Sequence, residues 1–180
     1  MVEILREWFA VNRPLVWFIY GQAFFILGLA IALRSRQYSR LNLAHSLPWL
    51  AGFGFLHGLN EWGDLFIPIQ STFLNPPVIT ILETIQLLLL AVSFTFLFQF
   101  GVELFLPLPG RRQWLRFLPL AVFALWLIGP FWTSLAHTQD IEQWRETANA
   151  LARYGLCALG AWASAFGLLR QAHVQIEPLG

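Results

Sequence analysis

The sequence predicts an all-α integral membrane protein, a five-transmembrane-helix bundle with the N-terminus outside and the C-terminus cytoplasmic, and three observations carry that reading. Hydrophobic residues fill 57% of the 180 positions and charged residues 12%, with seventeen Phe and nine Trp, more apolar surface than a water-exposed domain of this size can bury. Apolar runs recur at 15–33, 43–60, 78–104, 117–136 and 149–169, close to the roughly 20 residues a helix needs to cross a hydrocarbon core of about 30 Å. The arginines fall mainly in alternate connections: Arg34, Arg36, Arg40, Arg111, Arg112, Arg116 and Arg170 on one side, against Arg6, Arg13, Arg145 and Arg153 on the other. The positive-inside tendency places the larger group in the cytoplasm.

Taken in order, residues 1–13, "MVEILREWFAVNR", set Ile4, Leu5, Trp8, Phe9 and Val11 against Glu3, Arg6 and Glu7, the spacing of a short helix lying in the outer interface. Glu3 and Glu7 stand where a signal peptide has basic residues, and the run from Leu15 to Leu33 is too long for a signal core, so the first span is expected to be retained. The second span, 43–60, carries Pro48, expected to kink it or mark its first turn. It also carries the pair Gly54 and Gly58, whose small size lets helix backbones approach closely in lipid. Pro68 is expected to end that helix, which leaves two readings of Asp64, on its last turns or already on a loop. In the third span "TILE", 80–83, matches a capping box, so one reading of Glu83 is that it satisfies backbone donors at a helix start. "DIEQWRETANALARYG" reads as an outer helical turn or two entering the fifth span, with Trp144 as an interfacial anchor. That span offers Gly155, Gly160, Ala161, Ser164 and Ala165 as packing residues, and spans two and five are expected to be central.

Several functions find no support in the composition. All eleven basic residues are Arg and the net charge is +1, which offers no footprint for nucleic acid. Cys157 is the only cysteine, so an intrachain disulfide is excluded and a packing role expected. Ser46 and Ser134 lack the Gly-x-Ser-x-Gly elbow, and neither a phosphate-cradling loop nor HExxH occurs.

The chemistry concentrates in "FLHGLNEWGDLFIP", 55–68. On a continuous helix His57, Glu61 and Asp64 share a face. Glu83 lies roughly 7 to 8 Å into the third span at 1.5 Å per residue, followed by Gln86 and Ser93. An ionisable group inside a span normally points into the bundle, so a contact between His57 and Glu83 is expected in the outer half. The leading reading is a ligand-sensing pocket made by His57, Asn60, Glu61, Trp62, Asp64, Glu83 and Gln86. The alternatives are an outward-facing polar rim, a metal held by His57, Glu61 and Asp64, or a haem on two histidines. His45 and His57 are about 18 Å apart along one helix, so haem ligation would need His137 or a second subunit. Glu103 reads as an ion-pair partner of the inner arginines, and His173 lies on the cytoplasmic tail.

The stretch "GLAIALRSRQYSRLNLAHSLPWLAGFGFLHGLNEWGDLFIPIQ", 28–70, resembles the N-terminal membrane region found ahead of the kinase core in some bacterial sensor histidine kinases. The resemblance implies a multi-span sensor of the inner membrane, acting as a homodimer and feeding a cytoplasmic histidine kinase or another signalling output, with no catalytic residues in this chain. The ending departs from that pattern, because "LLRQAHVQIEPLG" contains no dimerisation helix, phosphoacceptor or ATP-binding region. Either the chain is the front of a longer receptor or it is a free-standing membrane subunit. The rival reading is a metal- or haem-binding redox protein or small accessory subunit built on the same residues.

Overall fold

The computed structural model describes residues 1–35, 42–105, 110–136 and 141–176, and these are helical throughout apart from short turns, with no strand among them. Helix α1 (Val2–Val11) precedes four long helices, α2 (Arg13–Ser35), α3 (Asn42–Gln70), α4 (Pro76–Glu103) and α5 (Leu118–Ala136). A 3-10 segment (Gly110–Phe117) leads into α5. Helix α6 (Ile141–Leu151) runs through a π-helical turn (Ala152–Leu156) into α7 (Cys157–Ile176), so that one rod extends over 36 residues, about 54 Å at the helical rise.

Among the described residues two helices are long and apolar enough to cross a membrane, Arg13–Arg34 and Pro76–Glu103, with mean hydropathies of 2.0 and 2.1. Only 11% of the first and 33% of the second is buried inside the molecule. Helix α3 has sufficient length, 29 residues, but its His, Asn, Glu, Asp and Gly positions lower its apolar character.

Contacts run α2 to α3, α3 to α4 and α4 to α7, with α5 and α6 also against α4. Helix α4 is therefore the hub. Of the second and fifth spans, expected to be central, α3 packs between α2 and α4, while the fifth span packs on α4, giving Ala152 and Leu156 to the core but leaving Leu159, Trp162, Phe166, Leu168 and Leu169 exposed; among the described residues α7 makes no contact with α3. Neighbour pairs give the directions. Trp62 meets Phe18 while Phe55 meets Phe25, so α2 and α3 are antiparallel. Gln86 meets Asp64 while Ser93 meets His57, so α3 and α4 are too. Arg145 meets Glu83 while Ser164 meets Leu97, so the α6–α7 rod runs parallel to α4.

Small residues set the closest approaches. A Cβ on Gly54 would stand 2.7 Å from the Gly28 nitrogen, and one on Gly58 2.8 Å from the Gly21 carbonyl oxygen, so both predicted glycines pack, and they do so against glycines of α2. Across α4 and α7, a Cβ on Gly160 would lie 3.1 Å from the Phe98 nitrogen, and one on Gly101 2.5 Å from the Ser164 nitrogen. Ser164 Oγ also donates to the Leu97 carbonyl at 3.1 Å. Gly155 is corrected: it sits in the π turn with nothing within 4 Å of an added Cβ and is not a packing residue.

Two helix ends differ from expectation. Helix α3 continues through Pro68 to Gln70 and keeps Asp64 helical; Pro68 forfeits one helical hydrogen bond, and it does so in the last turn, where little helix remains to be disrupted. Helix α4 begins at Pro76 behind Asn75, which places Glu83 in its third turn. The capping-box reading of Glu83 fails accordingly, and the Thr80 hydroxyl instead donates to the Pro76 carbonyl at 3.1 Å. The core joins Phe53 of α3, Leu87, Leu90, Ala91 and Phe94 of α4, Trp126 of α5, and Ala148, Ala152 and Leu156 of the rod. Trp144, expected as an interfacial anchor, is partly buried against this core.

Candidate functional site

At the end of the bundle that carries the α3–α4 connection, α3, α4 and α6 enclose a polar cleft of about 210 Å³. Helix α3 contributes Asn60 and Asp64, α4 contributes Glu83, Gln86, Leu87 and Leu90, and the rod contributes Glu142, Arg145, Glu146, Asn149 and Arg153. Helical periodicity explains why each set converges: Asn60 and Asp64 are one turn apart, as are Arg145, Asn149 and Arg153 in succession.

The walls are held by cross-helix polar contacts. Gln86 Nε2 donates to Asp64 Oδ1 at 2.6 Å and to the Asn60 carbonyl at 3.0 Å, joining α4 to α3. Glu83 forms an ion pair with Arg145, joining α4 to α6. Arg153, which lines the cleft, donates from Nε to Asn149 Oδ1 at 2.8 Å, one of the five donors its guanidinium offers.

Beneath the cleft lies a second, closed cluster. His57, Glu61 and Ser93 are 4%, 5% and 0% exposed. His57 Nδ1 is 3.2 Å from Ser93 Oγ, and its Nε2 is 3.5 Å from Glu61 Oε1. Asn60 Nδ2 donates to the same Oε1 at 3.2 Å, linking this cluster to the cleft wall. The imidazole is packed among Phe24, Phe53 and Phe94, with ring centroids 4.5, 5.2 and 5.2 Å away.

Of the predicted pocket residues, Asn60, Asp64, Glu83 and Gln86 line the cleft, while His57 and Glu61 lie below it. Trp62 belongs to neither: its indole stacks on Phe18 and Phe25 and donates from Nε1 to the Phe18 carbonyl at 3.3 Å, on the α2 side. The expected contact of His57 with Glu83 is replaced by one with Ser93, ten residues further along α4 and hence about 15 Å away along its axis. The proposed metal set does not assemble, because Asp64 turns to Gln86, and no group of three His, Cys, Asp or Glu side chains suited to a metal occurs among the described residues. For the haem reading, His45 is exposed and His137 lies outside the described residues. Sequence reasoning missed the whole α6 wall. The signal was available in the four-residue spacing of Arg145, Asn149 and Arg153, but their pairing with α4 depends on the tertiary fold.

Comparison of the chain with protein-family models, with curated proteins and with solved structures finds no match in any of them.

Proposed function

We propose that this chain is a multi-pass protein of a bacterial inner membrane, crossing five times through α2, α3, α4, α5 and the α6–α7 rod. It serves as the sensory, ligand-binding module of a signalling receptor rather than as an enzyme. The cleft faces outward and takes a small polar solute bearing both charges, since Asp64 and Glu83 offer carboxylates and Arg145 and Arg153 guanidinium groups around one cavity. The homodimer and a cytoplasmic output such as a histidine kinase belong to the same proposal and come from the resemblance of residues 28–70.

The carrying observation is that one continuous rod forms a wall of the cleft and also reaches the opposite end of α4. There Arg170 donates to the Phe105 carbonyl at 2.8 Å and Gln171 Nε2 to the Leu104 carbonyl at 2.9 Å. A solute that competes for Arg145 or bridges Asp64 to Arg153 changes the balance of contacts along that rod, and differential binding to two packings is what signalling requires. The membrane setting is supported by the apolar exposure of α2, α5 and α7: Ile19, Leu33, Leu125, Trp162 and Leu169 are each more than half exposed, and continuous surfaces of this kind avoid water.

The test is a thermal-shift screen of the purified protein against free amino acids and their decarboxylated and deaminated analogues. A solute carrying both charges is expected to raise the unfolding temperature, the two analogue sets to do so less, and Arg153→Ala to abolish the shift. Saturation at about a hundred times Kd corresponds to about 2.7 kcal/mol of stabilisation. An equal response to all three sets, or a shift that survives in Arg153→Ala, refutes the assigned cleft.

A further inference from the structure

We infer that His57, Glu61 and Ser93 form a proton-binding site beneath the outer cleft, loaded by one proton and reset by rotation of the Ser93 hydroxyl. The inference stands on the geometry of these groups and does not depend on the cleft binding a solute.

The argument is one of donors and acceptors. Ser93 has a single hydroxyl proton and two acceptors within reach, the Leu90 carbonyl at 2.7 Å and His57 Nδ1 at 3.2 Å. When the proton goes to Leu90, Oγ can only accept, so Nδ1 must carry a proton and donate it. Nε2 then faces Glu61 Oε1 at 3.5 Å, two acceptors that oppose each other unless one further proton lies between them, on the carboxyl or on the ring. When the hydroxyl instead donates to Nδ1, the ring carries its single proton on Nε2 and donates it to an ionised Glu61. Both arrangements give the Ser93 hydroxyl, the two ring nitrogens and Glu61 Oε1 complementary neighbours, and they differ by one proton.

The shorter distance, to Leu90, is that of the loaded arrangement. Loading takes one proton from water, removes one negative charge from the cluster and breaks no covalent bond other than the one that delivers the proton. Burial favours the neutral arrangement, because an uncompensated charge away from water is costly. The surroundings that oppose or assist it can be named. Helix α2 presents Tyr20 and Phe24, and α3 itself presents Asp64 and Phe53. Helix α4 presents Ser93 and Phe94, and the rod presents the Arg153 guanidinium, with Cys157 one turn on. Arg153 is the cation within electrostatic reach of both His57 and Glu61, and it also lines the cleft. Asn60, donating to Glu61 Oε1 and lining the cleft, is the hydrogen-bonded link between the two sites.

Side-chain nitrogen NMR of the full chain in lipid nanodiscs, labelled at histidine and assigned by loss of the signal in His57→Asn, reads the site directly. As pH falls within the range where the fold persists, His57 Nδ1 is expected to change from unprotonated to protonated. Glu61→Gln can neither hold the negative charge nor take up the proton, so the pH-dependent change at Nδ1 is expected to be lost or displaced. An Nδ1 state that is independent of pH in the native protein, or an unchanged titration in Glu61→Gln, overturns the inference. Should Glu61→Gln not fold, the native protein decides alone: the Glu61 carboxyl carbon and His57 Nδ1 must change in one coupled step, and separate steps or none overturn it.

Discussion

At the scale of single residues, the chain places polar groups inside an apolar bundle and partners them across helices. Among the described residues no buried side-chain nitrogen or oxygen lacks a hydrogen bond, which is the condition for keeping such groups away from water. The Glu83 and Arg145 side chains are 34% and 24% exposed, between the fully exposed and fully buried cases. Breaking the pair by Arg145→Ala is expected to cost more than the about 1 kcal/mol of a surface pair and less than the about 3 to 5 kcal/mol of a buried one. A double-mutant cycle with Glu83→Gln, followed by denaturant unfolding in detergent, measures it; a coupling near zero would show that the pair does not hold α4 to α6. Gln86→Leu removes the donor shared by Asp64 and Asn60, and a loss of about 1 to 3 kcal/mol is expected in the same assay because a half-buried carboxylate and a carbonyl lose their partner.

At the scale of helices, contact distance is set by the residues that lack a side chain. A Cβ on Gly28 would lie 2.8 Å from the Ala51 carbonyl oxygen and 2.9 Å from the Phe55 nitrogen, both backbone atoms of α3 that cannot rotate away. Gly28→Val is therefore expected to separate α2 from α3 and destabilise by about 1 to 3 kcal/mol, the range for overpacked cores. Gly155→Ala meets nothing within 4 Å and is expected to leave the unfolding midpoint unchanged or slightly raised, since Ala is the better helix former. Unfolding midpoints of the two variants test the contrast, and equal losses would contradict it. The π turn at Ala152–Leu156 belongs to the same scale. Such turns insert an extra residue and concentrate at functional positions, and here the turn carries Arg153, which lines the cleft.

At the scale of the molecule, the antiparallel courses of α2, α3 and α4, with the rod parallel to α4, support the five-crossing proposal. Labelling with a membrane-impermeant maleimide is expected to reach a cysteine at Ser71 only from outside and one at Ala172 only from inside, in a Cys157→Ala background. Labelling of both from one side would refute the topology. The composition by itself determined that the chain is helical and strongly apolar, because backbone groups surrounded by apolar side chains must satisfy one another within a helix or closed sheet and period and length favour the helix. It also marked Asn60, Glu61, Asp64, Glu83 and Gln86 as the polar residues to watch, since ionisable and amide groups stand out against an apolar run. Only the tertiary structure decided their partners: that His57 turns to Ser93, that Trp62 faces α2, and that Arg145 and Arg153 close the cleft. Spacing along one helix tells which residues share a face, whereas the neighbour that face meets depends on how helices distant in sequence pack, and here the glycine contacts between α2 and α3 and between α4 and α7 set that packing.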